Sequence, residues 1–176
     1  MVSFCRYFIP AASLAMILTL LSAAPAVATD VRACFTPGED CAGQIVSELD
    51  AAKTTVLVQA YSFTSAPIAK ALVDAHERGV DVRVILDKSQ RTERYSAATF
   101  LRNAGVPVWI DDRVAIAHSK VMVIDGATVI TGSFNFTKAA QERNAENVLI
   151  IHDRELADRY AANWRARQAV SRPIQS

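Results

Sequence analysis

Side-chain polarity along this chain repeats with two periods, about two residues in some stretches and about 3.6 in others. The two take turns. Residues 31–35 form a short extended run that Thr36-Pro37-Gly38 breaks. Residues 40–52 carry Ile45, Leu49 and Ala52 at helical spacing. Residues 55–63 are rich in β-branched and aromatic side chains and read as a buried strand. Ser65-Ala66-Pro67 opens a helix with a capping serine and an early proline, and Gly79 closes it after Arg78. Residues 81–86 predict a strand, 95–104 a helix ended by Gly105, and 106–110 another extended run. Two strands, 118–124 and 128–132, flank Asp125-Gly126, a hairpin turn signal. A two-residue turn there would set Ile124 against Ala127, Lys120 against Thr131 and His118 against Ser133. A short helix over 138–144, a strand over 147–152 and a helix over 154–169 complete the pattern. This order predicts one α/β domain, a mixed and mostly parallel central sheet with helices on both faces.

The first 28 residues stand apart. They hold 21 apolar side chains and one charge, Arg6. Residues 9–21 are free of charge, and the segment ends on Ala26-Val27-Ala28, a small-x-small cleavage pattern. A charge-free run of about 13 residues is short of the roughly 20 that a spanning helix needs. The expectation is a signal peptide over 1–28, a mature domain over 29–176, and a periplasmic or secreted protein without stable membrane association once the signal is removed. Cys5 precedes the apolar run, the wrong place for a lipid-attachment cysteine.

With that segment set aside, 18 basic and 18 acidic residues remain, and about 47% of the chain is apolar. This is an ordinary globular composition. It excludes a disordered chain, a collagen-like repeat and a polybasic tail, so anion binding must come from a local arrangement of charge. Cys34 and Cys41 remain, seven apart across a turn. An even count in an exported chain favours a disulfide, and no nearby His or third Cys completes a metal site.

The chemistry concentrates in AHSKVMVIDGATVITGSFNF, residues 117–136. His118 and Lys120, two apart on a strand, would share a face, with Ser133 and Asn135 close by. Lysine supplies charge, and serine and asparagine supply hydrogen bonds, for gripping a phosphate; the imidazole is then the one reactive group. Taken singly, each has an ordinary reading as a structural histidine, a surface lysine, a turn or a cap. Lys120, however, is flanked by Val121, Met122, Val123 and Ile124, and a charge in so apolar a strand needs a counter-anion or an open cleft.

The spacing His118-x-Lys120-x4-Asp125-x6-Gly132-Ser133-x-Asn135 resembles the signature of the phospholipase D superfamily at every fixed position. Phe134-Asn135-Phe136-Thr137, Asn144-Ala145-Glu146-Asn147, Ala60-Tyr61-Ser62-Phe63-Thr64 and Arg78-Gly79-Val80-Asp81-Val82 are similar to its small bacterial endonuclease branch, Nuc. The resemblance implies that His118 attacks the phosphodiester phosphorus to form a phosphohistidine, and that a second such histidine protonates the leaving oxygen. No metal or other cofactor takes part. Imidazole titrates near pH 6.5, so a neutral and a protonated copy can coexist. The resemblance gives Lys120 and Asn135 the nonbridging oxygens, Ser133 a supporting contact, and Glu146 the task of holding the histidine ring nitrogen. It counts Asp125 among the motif residues, although its place at the turn suits a structural or electrostatic role.

Larger members of this superfamily carry two copies of the motif, and this chain carries one. His76, in a charged helical stretch, and His152, with no lysine two residues on, are poor substitutes. The expectation is a homodimer whose two His118 side chains share one site. Lys88, Arg91 and Arg94, beyond the strand ending near Asp87, suit a polyanionic backbone, with a solvated loop as the alternative. Arg159, Arg165, Arg167 and Arg172 read as a solvated helix face. The favoured function is a largely sequence-nonspecific endonuclease on DNA, and on RNA on the same grounds. The alternatives are a cardiolipin-type phospholipid hydrolase, which would want an exposed apolar element not found outside the signal, and a nucleic-acid-binding protein without turnover.

Overall fold

The computed structural model describes residue 1, residues 30–93 and residues 96–174. The signal-peptide assignment beyond Met1, Cys5 and Arg94 lie outside the described residues. Among these there are eight strands, β1 Asp30–Thr36, β2 Thr55–Ala60, β3 Asp81–Asp87, β4 Val108–Asp111, β5 Lys120–Ile124, β6 Thr128–Gly132, β7 Glu146–His152 and β8 Arg172–Pro173. The helices are α1 Cys41–Ala51, α2 Ala66–Glu77, α3 Ala97–Asn103, α4 Lys138–Glu142 and α5 Arg154–Val170, and a 3-10 turn spans Lys88–Arg91.

All strands join one sheet in the order β1-β7-β6-β5-β2-β3-β4-β8. The sheet is mixed, as expected, but it is not mostly parallel. Only β2–β3 and β3–β4 run parallel, while the other five ladders are antiparallel. The reason is the chain after β4, which reverses direction at each step through β5, β6 and β7, by a tight turn at Asp125-Gly126 and then by a longer connection that carries α4, with β1 laid antiparallel on the edge of β7.

Alternation along the strands divides the apolar residues between two layers. Val56, Val58, Met122, Ile124 and Ile130 face the main core with α1, α2 and α3. Leu57, Val121, Val123 and Val129 face Ala157 and Ala161 of α5. Trp164 of α5 is buried, and its Nε1 donates to the Val58 carbonyl at 2.8 Å, which fixes this helix over the sheet centre. Asp40 and Asp153 cap α1 and α5 by accepting from Gly43 N–H and Leu156 N–H. Ser65 is the N-cap of α2, but its hydroxyl makes no capping bond; its N–H instead donates to the Phe136 carbonyl. Cys34 and Cys41 form the expected disulfide, both fully buried. Among the described residues they make, with Glu39, the one cluster of metal-ligand types, and its thiols are already spent.

The predicted hairpin register is off by one. Asp125 and Gly126 turn with positive φ (54° and 58°), and Ala127 N–H donates to the Ile124 carbonyl. The ladder then resumes with Ile124 opposite Thr128, so Val121 rather than Lys120 faces Thr131. The Ala127 carbonyl accepts from Asp153 N–H at the head of α5, which draws that residue out of the ladder.

Asp125 itself is an anchor. Its carboxylate accepts from the backbone N–H groups of Lys53, Thr54 and Thr55 and from the Thr54 hydroxyl. Burial pushes its pKa up, but those donors outweigh burial and hold it below the ordinary value. Its stabilisation is therefore fully present above the ordinary aspartate pKa of about 3.9 and is lost as pH falls further. Asp125→Ala is expected to cost about 2 kcal/mol at pH 7 and to flatten the acid limb of stability, measured by urea unfolding at pH 7 and pH 3.5.

Candidate active site

Six chain segments converge on one end of the sheet. Register pairs Ala60 with both Lys120 and Leu86, Leu86 with Ile110, and Gly132 with Val148. The carboxyl ends of β2, β3, β4 and β6 therefore meet the amino ends of β5 and β7. Asp125, beyond the far end of β5, lies at the opposite end of the sheet and does not belong to this site. Its role in the motif is to hold the turn.

His118 lies in the connection before β5, since the strand begins at Lys120. It does not pair across a ladder with Ser133, as the sequence register predicted. Asp87, buried at the end of β3, holds this connection by accepting from Ala117 N–H at 2.7 Å and from Ser89 N–H at 2.9 Å. Burial pushes the Asp87 pKa up, but those N–H groups, the Ser89 hydroxyl and the Lys88 charge outweigh burial and lower it. Tyr61, just past β2, donates its N–H to the Ser119 carbonyl at 3.0 Å. Its ring lies 4.6 Å from the His118 ring, centroid to centroid, at 55°. The imidazole is exposed and forms no hydrogen bond with any described residue.

Lys120 is 7% exposed. Its Nζ donates to the His118 carbonyl at 2.7 Å and lies 5.2 Å from the centre of the Tyr61 ring. No described carboxylate is within ion-pair distance of it. Burial lowers its pKa, and the Glu146 charge only partly opposes this.

Gly132 has φ +147°, and a Cβ there would sit 2.2 Å from the Asn147 carbonyl oxygen, so no side chain fits. That close approach draws Ser133 against the start of β7. Ser133 Oγ donates to Glu146 Oε2 at 2.6 Å and accepts from Asn147 N–H at 3.0 Å. Glu146 Oε1 accepts from Asn144 Nδ2 at 3.0 Å. Within one chain, then, Glu146 holds Ser133 and Asn144 rather than the histidine ring, because the reach of the carboxylate is taken up by these nearer donors. Asn135 sits between the buried Phe134 and Phe136, and its Oδ1 is buried without a partner.

The two described basic residues after β3 are placed at this end of the sheet. Lys88 Nζ donates to the Val114 carbonyl at 3.2 Å, and Arg91 lies 3.9 Å from Asp112. Arg167 and Arg172 are not a free cationic face. Arg167 donates twice to the buried Asp111, at 2.7 and 2.8 Å, and Arg172 lies 3.3 Å from Asp112. His152 is far off at the other end of β7, bonded to Thr128 Oγ1. Sequence reasoning assigned no role to Asp87 or Tyr61, which hold the chain on either side of His118. For Asp87 the available signal was an aspartate directly after the apolar run Val84-Ile85-Leu86.

The family model for the cardiolipin synthase, PLD-like domain matches residues 45–167. The chain belongs to the phospholipase D superfamily. A curated phospholipase D from Rickettsia felis is 48% identical over 139 residues, 79% of this chain and 70% of that one. The crystal structure of Nuc from Salmonella typhimurium, described as a phospholipase D family member, superposes with TM-score 0.81 at 39% identity, covering 85% of this chain and all of Nuc. A mitochondrial cardiolipin hydrolase from Canis lupus familiaris is 36% identical over 123 residues, 69% of this chain and 48% of that one. These likenesses bear out the resemblance read from the motif and the phospholipase D-like α/β fold. Among the described residues of this superfamily member, no helix is long and apolar enough to cross a membrane.

Proposed function

We propose that the chain is a metal-independent, largely sequence-nonspecific endonuclease that hydrolyses nucleic-acid phosphodiesters through a phosphohistidine at His118. The observation that carries this reading is Lys120, a buried ammonium with no counter-ion among the described residues, beside an exposed imidazole that forms no hydrogen bond with any of them. A phosphodiester anion set there would supply the missing charge and present its phosphorus to the ring.

In the first step a neutral His118 imidazole attacks phosphorus, and an N–P bond forms as the P–O bond to the leaving alcohol breaks. The leaving oxygen takes a proton from the His118 imidazolium of a second copy. Water then attacks the phosphohistidine, gives its proton to that second imidazole, and releases the phosphomonoester as the N–P bond breaks. Each chain offers one such imidazole at the end of its sheet, so two copies in a twofold dimer complete a single site. Lys120 meets the charge developing on the nonbridging oxygens. Asn135, after a half turn about Cβ–Cγ, offers an N–H to the same oxygens. Ser133, held by Glu146, supports them, and Lys88, Arg91 and Arg94 would meet backbone phosphates further along. The signal peptide over 1–28 would place the enzyme in the periplasm or outside the cell.

A second reading, a phospholipid headgroup hydrolase, is favoured by one structural observation. Val114 and Ile116 are 37% and 56% exposed on the loop that leads to His118, an apolar element not evident in the sequence. Supercoiled plasmid and cardiolipin vesicles, each incubated with the protein in chelator, separate the readings. Nicking is expected. Headgroup release without nicking would establish the lipid reading, and binding without either product would make the chain a non-catalytic nucleic-acid-binding protein.

A further inference from the structure

A cavity of about 230 Å³ opens beside His118, between the sheet and α5. Its lining includes Gln59, which projects from the centre of the sheet. Gln59 is 7% exposed, and its carboxamide has no hydrogen-bond partner among the described residues. The amide is not sealed inside the protein: it opens on the cavity, and whatever fills the cavity supplies its hydrogen bonds. Register sets Gln59 between Ile85 of β3 and Val121 of β5, both apolar and buried. Leucine or methionine would fit that position, so the amide points to a ligand. A second cavity, of about 360 Å³, shares Gln59, Ser119 and Asn163 with the first and extends to Arg159.

We propose that the cavity beside His118 receives the nucleobase next to the scissile phosphate, with the Gln59 carboxamide reading its edge. This rests on the nucleic-acid reading above and sharpens it. Ile85 and Ile116 give the cavity apolar walls suited to the faces of a flat ring. The carboxamide offers a donor and an acceptor side by side, the pattern that the edge of a base returns, and its best-matched partner is adenine at N6 and N7. Because His118 lines the same cavity, a base seated there leaves its own phosphodiester at the imidazole. Arg159, an exposed residue in the lining of the second cavity, suits the phosphate of a neighbouring nucleotide. A base in this cavity must be out of its stack, so single strands are the preferred form. Cleavage is then indifferent to sequence except at this one position.

The test is a map of cut sites in a mixed-sequence single-stranded oligonucleotide digested in chelator. Wild-type protein is expected to cut beside adenine about fivefold or more above the least favoured base. Gln59→Met, of equal length without the amide, is expected to bring the four bases within about twofold. Gln59→Leu serves if the first variant does not fold. The preference is a ratio within one digest, so a general loss of activity does not imitate its loss. A flat map from wild-type protein overturns the proposal, and so does a preference that survives either substitution. Wild-type hydrolysis of bis(p-nitrophenyl) phosphate separates the failures. Activity on that diester with a flat map overturns only the base pocket, and inactivity on both substrates overturns the phosphodiesterase reading with it. Headgroup release from cardiolipin vesicles without any oligonucleotide cleavage also overturns the pocket and identifies a lipid substrate.

Discussion

His118→Ala is expected to lower phosphodiester hydrolysis by about 10⁴-fold or more while leaving the urea unfolding midpoint within error of wild type. Both halves follow from the same placement. The imidazole is exposed, lies against the Tyr61 ring, and has no hydrogen bond to any described residue to lose. Its backbone is held independently of its ring, through Ala117 on Asp87, Ser119 on Tyr61 and the His118 carbonyl on Lys120. Under the proposed mechanism, removing the side chain takes away the attacking nitrogen and the proton donor together. Residual activity within tenfold of wild type, measured on plasmid and on bis(p-nitrophenyl) phosphate, would remove His118 as the nucleophile.

Lys120→Met is expected to lower the rate by about 10²- to 10³-fold and to raise stability by about 1 kcal/mol. An ammonium that is 7% exposed without a paired carboxylate is costly in the resting protein, and an unbranched apolar side chain fits the same space at lower cost. The pH dependence carries the same signature. Burial lowers the Lys120 pKa, with the Glu146 charge only partly opposing it, so the folded chain sheds this proton at lower pH than the unfolded chain. Between those two values the unfolded state binds more protons, and stability rises with pH. The wild-type protein should therefore gain stability through this alkaline window, and the methionine variant should lose that gain. Inorganic phosphate should stabilise wild type more than the variant, because it supplies the absent counter-charge. An equal phosphate-induced shift in the unfolding midpoints of the two proteins would contradict a phosphate role for Lys120.

How far the sequence could carry these conclusions depended on the range of the forces involved. The element order was legible because amphipathic periods and turn residues act locally; Asp125-Gly126 does turn the chain, and Gly105 does follow the end of α3. The strand neighbours were not legible. Nothing local tells β1 to lie antiparallel beside β7 rather than parallel in the sheet interior. The hairpin register failed through a contact 26 residues away, where Asp153 N–H takes the Ala127 carbonyl. In the site, His118, Lys120, Ser133, Asn135 and Glu146 were legible as a spaced motif. Arg167 was misread because a surface arginine and one bonded to a buried aspartate look alike until α5 is laid against β4. Tyr61 was legible only as part of a segment resembling the family, with no role attached, and Gln59 carried no signal, since a glutamine in a strand becomes informative only when its neighbours are known.

The central claim is that one site is built from two copies of His118. Wild-type and His118→Ala subunits, exchanged at increasing proportions of the variant and assayed for nicking at fixed total protein, test it most directly. If each active site needs both imidazoles, activity falls with the square of the wild-type fraction, to about a quarter at equal amounts. Activity that falls in direct proportion, to about a half at equal amounts, would contradict it and leave each chain a self-sufficient unit.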